Sequence, residues 1–296
     1  MTRLIIAGLG YTGRATAVAA LRSGWSVTIM TRNPGQAAIP GATLVAFDEA
    51  ATTLADATHL LLTAPPRGDG DPVLRRYRNG ALGTSRRLQW IGYLSTTGVY
   101  GDRGGAEVDE SAAPNPGSER TRNRVIAENA WCRFADHGAV DLIRLAGIYG
   151  PGRSVIDAIV SGSASRIEKP GHKFNRIHVE DIARGVLAAV RTAATPGVRV
   201  LHFADDEPAS SADVVGYAAA LLGREPPPLV PFREAALTMS PMALSFWSES
   251  RIIRNSATKA RLGLAWRYPT YREGLQAIFE GSRAPSMESG SGTSWK

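Results

Sequence analysis

The sequence predicts an α/β protein, a doubly wound parallel sheet with a smaller C-terminal substrate lobe. Three observations carry that expectation. Short apolar runs alternate with helix-compatible segments, the order of parallel strands joined by crossover helices. Most of these runs are apolar throughout, as expected when helices cover both faces of a sheet. The first run, Leu4-Ile5-Ile6, feeds straight into Gly8-Leu9-Gly10-Tyr11-Thr12-Gly13 and then into a helical segment. That strand, glycine turn and helix is the Rossmann dinucleotide fingerprint in its confirming context. Gly8 turns where a Cβ would clash, Gly10 lets the backbone approach a pyrophosphate, and Gly13 lets the helix pack closely. Amide groups and the positive end of the helix dipole then face the phosphates.

The elements follow in order. Strands are expected at Leu4–Ala7, Ser26–Met30, Thr43–Phe47, His59–Thr63, Leu88–Leu94, Asp141–Leu145 and Arg199–Phe203. Helices are expected at Thr12–Arg22, Pro72–Leu82, Arg122–Asp136, Val179–Thr192 and Ser211–Leu222, with a short one from Asn255 or Ser256 to Gly263. Ser210 and Asp213 have capping-box spacing, and Gly223 stops the helix they open. Residues 1–150 form the dinucleotide-binding domain, to which segments near 176–205 return. Residues 151–282, richer in proline and glycine, form mainly the substrate lobe. Pro226-Pro227-Pro228 is a rigid spacer. The tail, 283–296, has no periodicity and reads as disordered.

The second strand decides the kind of dinucleotide. NAD sites tend to place a carboxylate just past it, for the ribose 2′-hydroxyl. Here the chain reads Thr31-Arg32-Asn33-Pro34. Nothing repels a 2′-phosphate, and Arg32 has the planar fork to pair with one. NADP is therefore favoured over NAD. The alternative is that Arg32 is a solvated loop charge.

Bulk properties exclude several classes. The chain has 296 residues and a formal charge of +7, mostly scattered arginine. There is no basic tract with interleaved aromatics, so nucleic acid is not an expected partner. Anionic small molecules suit such a surface better. Cys132 is the only cysteine and reads as a helical filler, so no intrachain disulfide can form. The five histidines lack metal-ligand spacing, and no metal is expected. No apolar stretch approaches the ~18 residues of a membrane span, which makes the cytoplasm the default address.

Further motifs carry a resemblance. Ala7-x-x-Gly10-x-x-Gly13, Leu94-Ser95-Thr96-Thr97-Gly98-Val99-Tyr100-Gly101, Arg144 through Tyr149-Gly150-Pro151-Gly152, and His178-Val179-Glu180-Asp181 occur in order. Together they resemble the extended short-chain dehydrogenase/reductases, specifically an atypical epimerase/dehydratase-like branch. Phe246-Trp247-Ser248-Glu249-Ser250-Arg251 is similar to a C-terminal motif of that branch. The resemblance implies Thr96 as the hydroxyl that orients a reacting oxygen. It implies coenzyme contacts from Gly8, Gly10, Tyr11, Thr12, Gly13, Thr31, Arg32, Asp48 (at adenine), Thr63, Ala64, Pro65, Ser95, Gly147 and Ile148. It also implies a homodimer, for which the helix Arg122–Asp136 offers one face.

The departure from the family matters more. Such enzymes carry Tyr and Lys as YxxxK on a helix, where the phenol moves the proton. Aligned on Glu128, those positions hold Arg120 and Arg124. No lysine precedes Lys169, and no tyrosine lies between Tyr100 and Tyr149, so the pair is absent in any register. Arg124 can hold a ribose or a ligand charge. Arg120 cannot carry a proton, since a guanidinium stays protonated above pH ~12. Tyr100, Tyr149 and His178 are the candidate substitutes, against the alternative that all three are packed. Two functions stay open. One is an NAD(P)-dependent oxidoreductase or epimerase-like enzyme for a polar, anionic small molecule, nucleotide-sugars included. The other, less favoured, is a non-catalytic NADP-binding redox sensor or regulatory protein.

Overall fold

A computed structural model describes residues 2–36, 39–84 and 87–283. The segment expected to be a disordered tail lies, apart from Arg283, outside the described residues. Seven parallel strands form the central sheet: β1 (Arg3–Ala7), β2 (Ser26–Thr31), β3 (Thr43–Ala46), β4 (His59–Leu62), β5 (Trp90–Thr96), β6 (Ala139–Leu145) and β7 (Gly197–Phe203). Their order across the sheet is β7-β6-β5-β4-β1-β2-β3. In β1, Ile5 pairs with Thr28 of β2 on one side and Leu60 of β4 on the other. The winding therefore reverses between β1 and β4, and the groove beyond their C-terminal ends is where open α/β sheets bind ligands.

Strand periodicity sorts the core into two layers. Leu4 and Ile6 face the helices Tyr11–Arg22 and Val179–Arg191, while Ile5 and Ala7 face the side that Ala127 and Trp131 cover. A third cluster, including Tyr149, Ile156, Val215, Leu275 and Ile278, lies in the later part of the chain. Three small parallel pairs stand outside the central sheet: Gly147–Tyr149 with Arg176–His178, Arg166–Glu168 with Leu229–Pro231, and Glu107–Val108 with Ile252–Ile253.

The differences from the sequence reading have local causes. The helix expected from Arg122 runs Glu119–Cys132, because Ser118 and Thr121 cap its start reciprocally. A threonine does there what a glutamate usually does. The expected Pro72–Leu82 helix divides into Pro72–Tyr77 and Ala81–Thr84 around Asn79-Gly80, a turn-forming dipeptide. Ser210 accepts from the Asp213 amide as its spacing predicts. Helices Pro241–Trp247 and Tyr271–Arg283 were not anticipated.

Candidate functional site

The glycine turn lies at the winding reversal. Gly8 has φ +115°, and a Cβ there would meet the Thr63 hydroxyl at 2.5 Å and the Ala64 amide at 3.2 Å. A Cβ on Gly13 would strike the Gly8 carbonyl at 2.4 Å. A Cβ on Gly10 would meet nothing within 4 Å, so the glycine keeps open space beside the turn. Gly10 caps the Tyr11–Arg22 helix without a side chain, and the first turn carries no acid. This arrangement offers amides and a positive dipole to an anion. Thr63, at the end of β4, donates to the carbonyls of Ala7 and Gly8 and holds the turn in place.

Two clefts meet at Thr63. The first, about 500 Å³, is lined by Gly8, Gly10, Thr31, Arg32, Phe47, Thr63, Ala64 and Pro65, and also by Arg67 and Arg75. Arg75 is paired with Asp69, whereas Arg32 and Arg67 are exposed and form no ion pair among the described residues. Arg67 had not been singled out in the sequence, because its loop closes on β2 only in three dimensions. The second cleft, about 370 Å³, is lined by Thr12, Thr63, Ser95, Thr96, Gly147 and Ile148, by Arg120 and Arg124, and by Arg153, Lys173, Asn175 and Glu249. Most of the residues expected at the coenzyme thus line one or other of these two clefts. The buried Ser95 hydroxyl, with no partner among the described residues, and the open space at Gly10 are features that a dinucleotide could fill.

Several expected residues lie elsewhere. Asp48 is exposed, pairs with Arg76 at 3.7 Å and does not line the first cleft; its neighbour Phe47 does. The Tyr11 hydroxyl donates to the Pro151 carbonyl, so any coenzyme contact falls to its backbone. Tyr100 is fully buried, and it lines neither cleft. Its oxygen accepts from Arg144 at 2.7 Å and bonds His202 Nε2 at 2.5 Å. His202 Nδ1 lies 2.7 Å from the Arg254 carbonyl, which can only accept, so Nδ1 carries the hydrogen and Nε2 receives that of Tyr100. Burial raises the Tyr100 pKa and lowers that of His202, keeping both neutral. Tyr149 packs against Gly274 and His178, with its hydroxyl toward the Thr270 carbonyl. His178 caps a helix, and burial holds its pKa down at about 4. None of these three candidate proton carriers reaches the cleft.

The helix Glu119–Cys132 presents the substituted positions. Arg124 donates to the Leu94 carbonyl at 2.7 Å and to the Tyr93 hydroxyl at 3.3 Å while lining the cleft. The Arg120 guanidinium lies over the Phe246 ring, 4.7 Å from its centroid. Thr96 accepts from the Gly98 amide at 3.1 Å, which leaves its hydroxyl hydrogen free to donate. The opposite wall is a strap, residues 246–251, stitched across from the C-terminal part. Arg251 donates to Glu249 and to the Gly101 carbonyl, both at 2.7 Å. The Ser250 amide donates to Asp102, whose pKa this bond lowers. Asn175 donates to the Arg251 carbonyl and accepts from Ile253. Sequence reasoning had the strap only as a motif and missed Glu249, Lys173 and Phe246 as cleft residues.

Among the described residues, no cluster of His, Cys, Asp or Glu could hold a metal ion, and no helix is long and apolar enough to cross a membrane.

The fold is a doubly wound, Rossmann-type parallel sheet, shared with solved structures that include epimerase/dehydratase proteins. The chain belongs to one family with a functionally unknown conserved protein from Silicibacter pomeroyi DSS, whose structure matches at 39% identity and TM-score 0.84, over 96% of this chain and 100% of that one. Protein YeeZ of Escherichia coli (strain K12) is 29% identical over 290 residues, 91% of this chain and 97% of that protein. A 3-diazoavenalumate denitrifying reductase from a Streptomyces species is 31% identical over 184 residues, 57% of this chain and 58% of its own length. At 20% identity the fold also matches human epimerase family protein SDR39U1 with NADPH, TM-score 0.75 over 94% of this chain and 99% of that one. MoeE5 in complex with UDP-glucuronic acid and NAD matches at 20% identity and TM-score 0.74, over 95% and 99%. No family model matches the chain.

Proposed function

We propose that this protein is an NADP-dependent oxidoreductase, epimerase-like in architecture, that acts on a polar anionic small molecule without a tyrosine–lysine pair. The observation that carries the reading is the pair of clefts that share Thr63, one lined by Arg32 and the glycine turn and the other by Thr96. A nicotinamide coenzyme bound there would give or take a hydride. The turn would hold the diphosphate, and Arg32 and Arg67 would meet a 2′-phosphate. Thr96 would point its hydroxyl hydrogen at the substrate oxygen, and Arg124 would carry the ribose side. Neighbours of this fold include complexes with NADPH and with NAD, so the choice rests on the two unpaired arginines. The relative named as a reductase supports turnover.

The second reading, a coenzyme-binding sensor without turnover, draws on one observation: no phenol or imidazole lines the cleft among the described residues. General acid–base help is worth about 10²–10⁴-fold, so its absence slows hydride transfer without forbidding it. Calorimetric titration with both reduced coenzymes tests the proposal. NADPH is expected to bind more tightly than NADH by about tenfold or more, as a charge-assisted pair would give. Arg32→Ala should narrow that gap. Equal affinities in the parent protein would remove the NADP assignment, and no binding of either would remove the whole reading.

A further inference from the structure

The charges that line the 370 Å³ cleft do not balance. Arg120, Arg124, Arg153, Lys173 and Arg251 face a single carboxylate, Glu249. Three of these cations have an evident use. Arg251 is spent on Glu249 and the Gly101 carbonyl. Arg124 is tied to β5 through the Leu94 carbonyl, on the side where the ribose would lie. Arg153 lies over the Tyr11 ring, 5.8 Å from its centroid, beside the glycine turn and its diphosphate site. Arg120 and Lys173 remain. Neither side chain forms a hydrogen bond or a close ion pair among the described residues. Desolvation, and then the charge of Arg124, push the Arg120 pKa down from its usual range, with Glu249 opposing in part. Arg120 is exposed to the cleft, and an arriving anion would offset the repulsion from Arg124.

The uncharged walls add shape. Phe246 and Phe174 line the same cleft as Arg120 and Lys173. Phe174 is held edge-on to Trp247, with ring centroids 4.8 Å apart. Phe246 is about half exposed beneath the Arg120 guanidinium. The volume sets a limit. Small-molecule pockets usually measure about 300–1,000 Å³, so this cleft is at the small end, and it must also admit a nicotinamide. What remains suits one ring with a short arm.

We infer that the substrate half of this cleft binds a small carboxylate with a flat apolar body. Arg120 and Lys173 share the carboxylate, and Phe246 and Phe174 flank the body. This inference rests on the coenzyme reading above, because that reading assigns Arg124 and Arg153. It places a charge-holding arginine where related enzymes keep a phenol, so the position anchors the substrate and moves no proton.

The test is calorimetric titration of the full chain, with and without saturating NADP⁺, using cinnamate, cinnamamide, phenyl phosphate and UDP-glucose as probes. Cinnamate is expected to saturate at millimolar concentration or below, and cinnamamide to give no heat. Arg120→Met and Lys173→Met should each weaken cinnamate about tenfold or more, the size of a lost charge-assisted bond. They should leave NADP⁺ affinity unchanged. The two residues stand on different elements, so a folding defect in one variant, seen by circular dichroism, leaves the other to decide. Cinnamate that fails to saturate, or binds both variants as well as the parent, overturns the inference. Tighter binding of phenyl phosphate or UDP-glucose overturns it too, in favour of a phosphate ligand. Failure of NADP⁺ and NADPH to bind, with cinnamate still sensitive to both variants, would sink the coenzyme reading and leave the carboxylate site standing.

Discussion

The helix Glu119–Cys132 meets two arginines and treats them in opposite ways. Toward its C-terminal end Glu128 receives Arg144 from β6 through two bonds, at 2.7 and 3.2 Å, with both side chains almost fully buried. Arg144 then reaches Tyr100, and Tyr100 reaches His202, so that donors and acceptors in the cluster are matched. Two turns earlier, Arg120 rests on a half-exposed phenylalanine and forms no ion pair among the described residues, feeling Glu249 only across the cleft. The closed cluster fixes strand, helix and loop to one another. The open charge fixes nothing, and its use lies outside the chain. A buried ionic group is weak evidence of function when its partners are all internal. The same group left unmatched beside a cleft is a stronger pointer.

That contrast breaks most readily at Glu128. Glu128→Ala strands the Arg144 guanidinium in the core and should cost about 3–5 kcal/mol, the usual penalty for removing half of a buried pair. Urea unfolding measures it, and a loss below about 1 kcal/mol would show that Arg144 finds solvent or another partner.

A smaller effect should come from His178, a ring kept uncharged by burial. Unfolded, it takes a proton near pH 6.5; folded, it resists until about pH 4. The unfolded state thus binds more protons across that window, and stability must fall as pH drops through it. The full effect is about 3 kcal/mol. Comparison of urea midpoints at pH 7.5 and 4.5 for the parent and His178→Gln should show a shallower acid slope in the variant. Parallel slopes would mean that His178 charges in place.

The smallest effect belongs to the open cation. Arg120→Met should change stability by less than about 0.5 kcal/mol, or raise it slightly, because it removes a repelled charge and keeps the apolar contact with Phe246. A loss above about 2 kcal/mol would place Arg120 with Arg144 as a structural residue and erase the contrast.

Much of this was legible in the amino-acid order. The strands of the central sheet are runs such as Leu60-Leu61-Leu62 that only a two-sided core can cover, and their expected bounds lie within about two residues of those observed. The Gly8–Gly13 turn was readable because its chemistry is local. Tyr100 and Tyr149 were not. Both follow strands that end near the groove, but strand ends do not tell which way a side chain turns, and here Arg144 draws Tyr100 inward. Asp48 failed similarly: its expected place at adenine took no account of Arg76, which comes from a later helix. The wall formed by Phe246, Glu249 and Arg251 was invisible as a wall, since its partners Gly101, Asp102 and Asn175 lie far away in the chain.

That distance has a consequence for how the molecule is made. The Ser250 amide reaches a carboxylate 148 positions earlier. During synthesis the ribosome therefore releases the central strands long before the strap exists, and the loop after β5 must wait for a distant piece of chain to dock against it. A nascent chain halted before residue 245 would own the glycine-turn cleft, while the second cleft still lacked one of its walls.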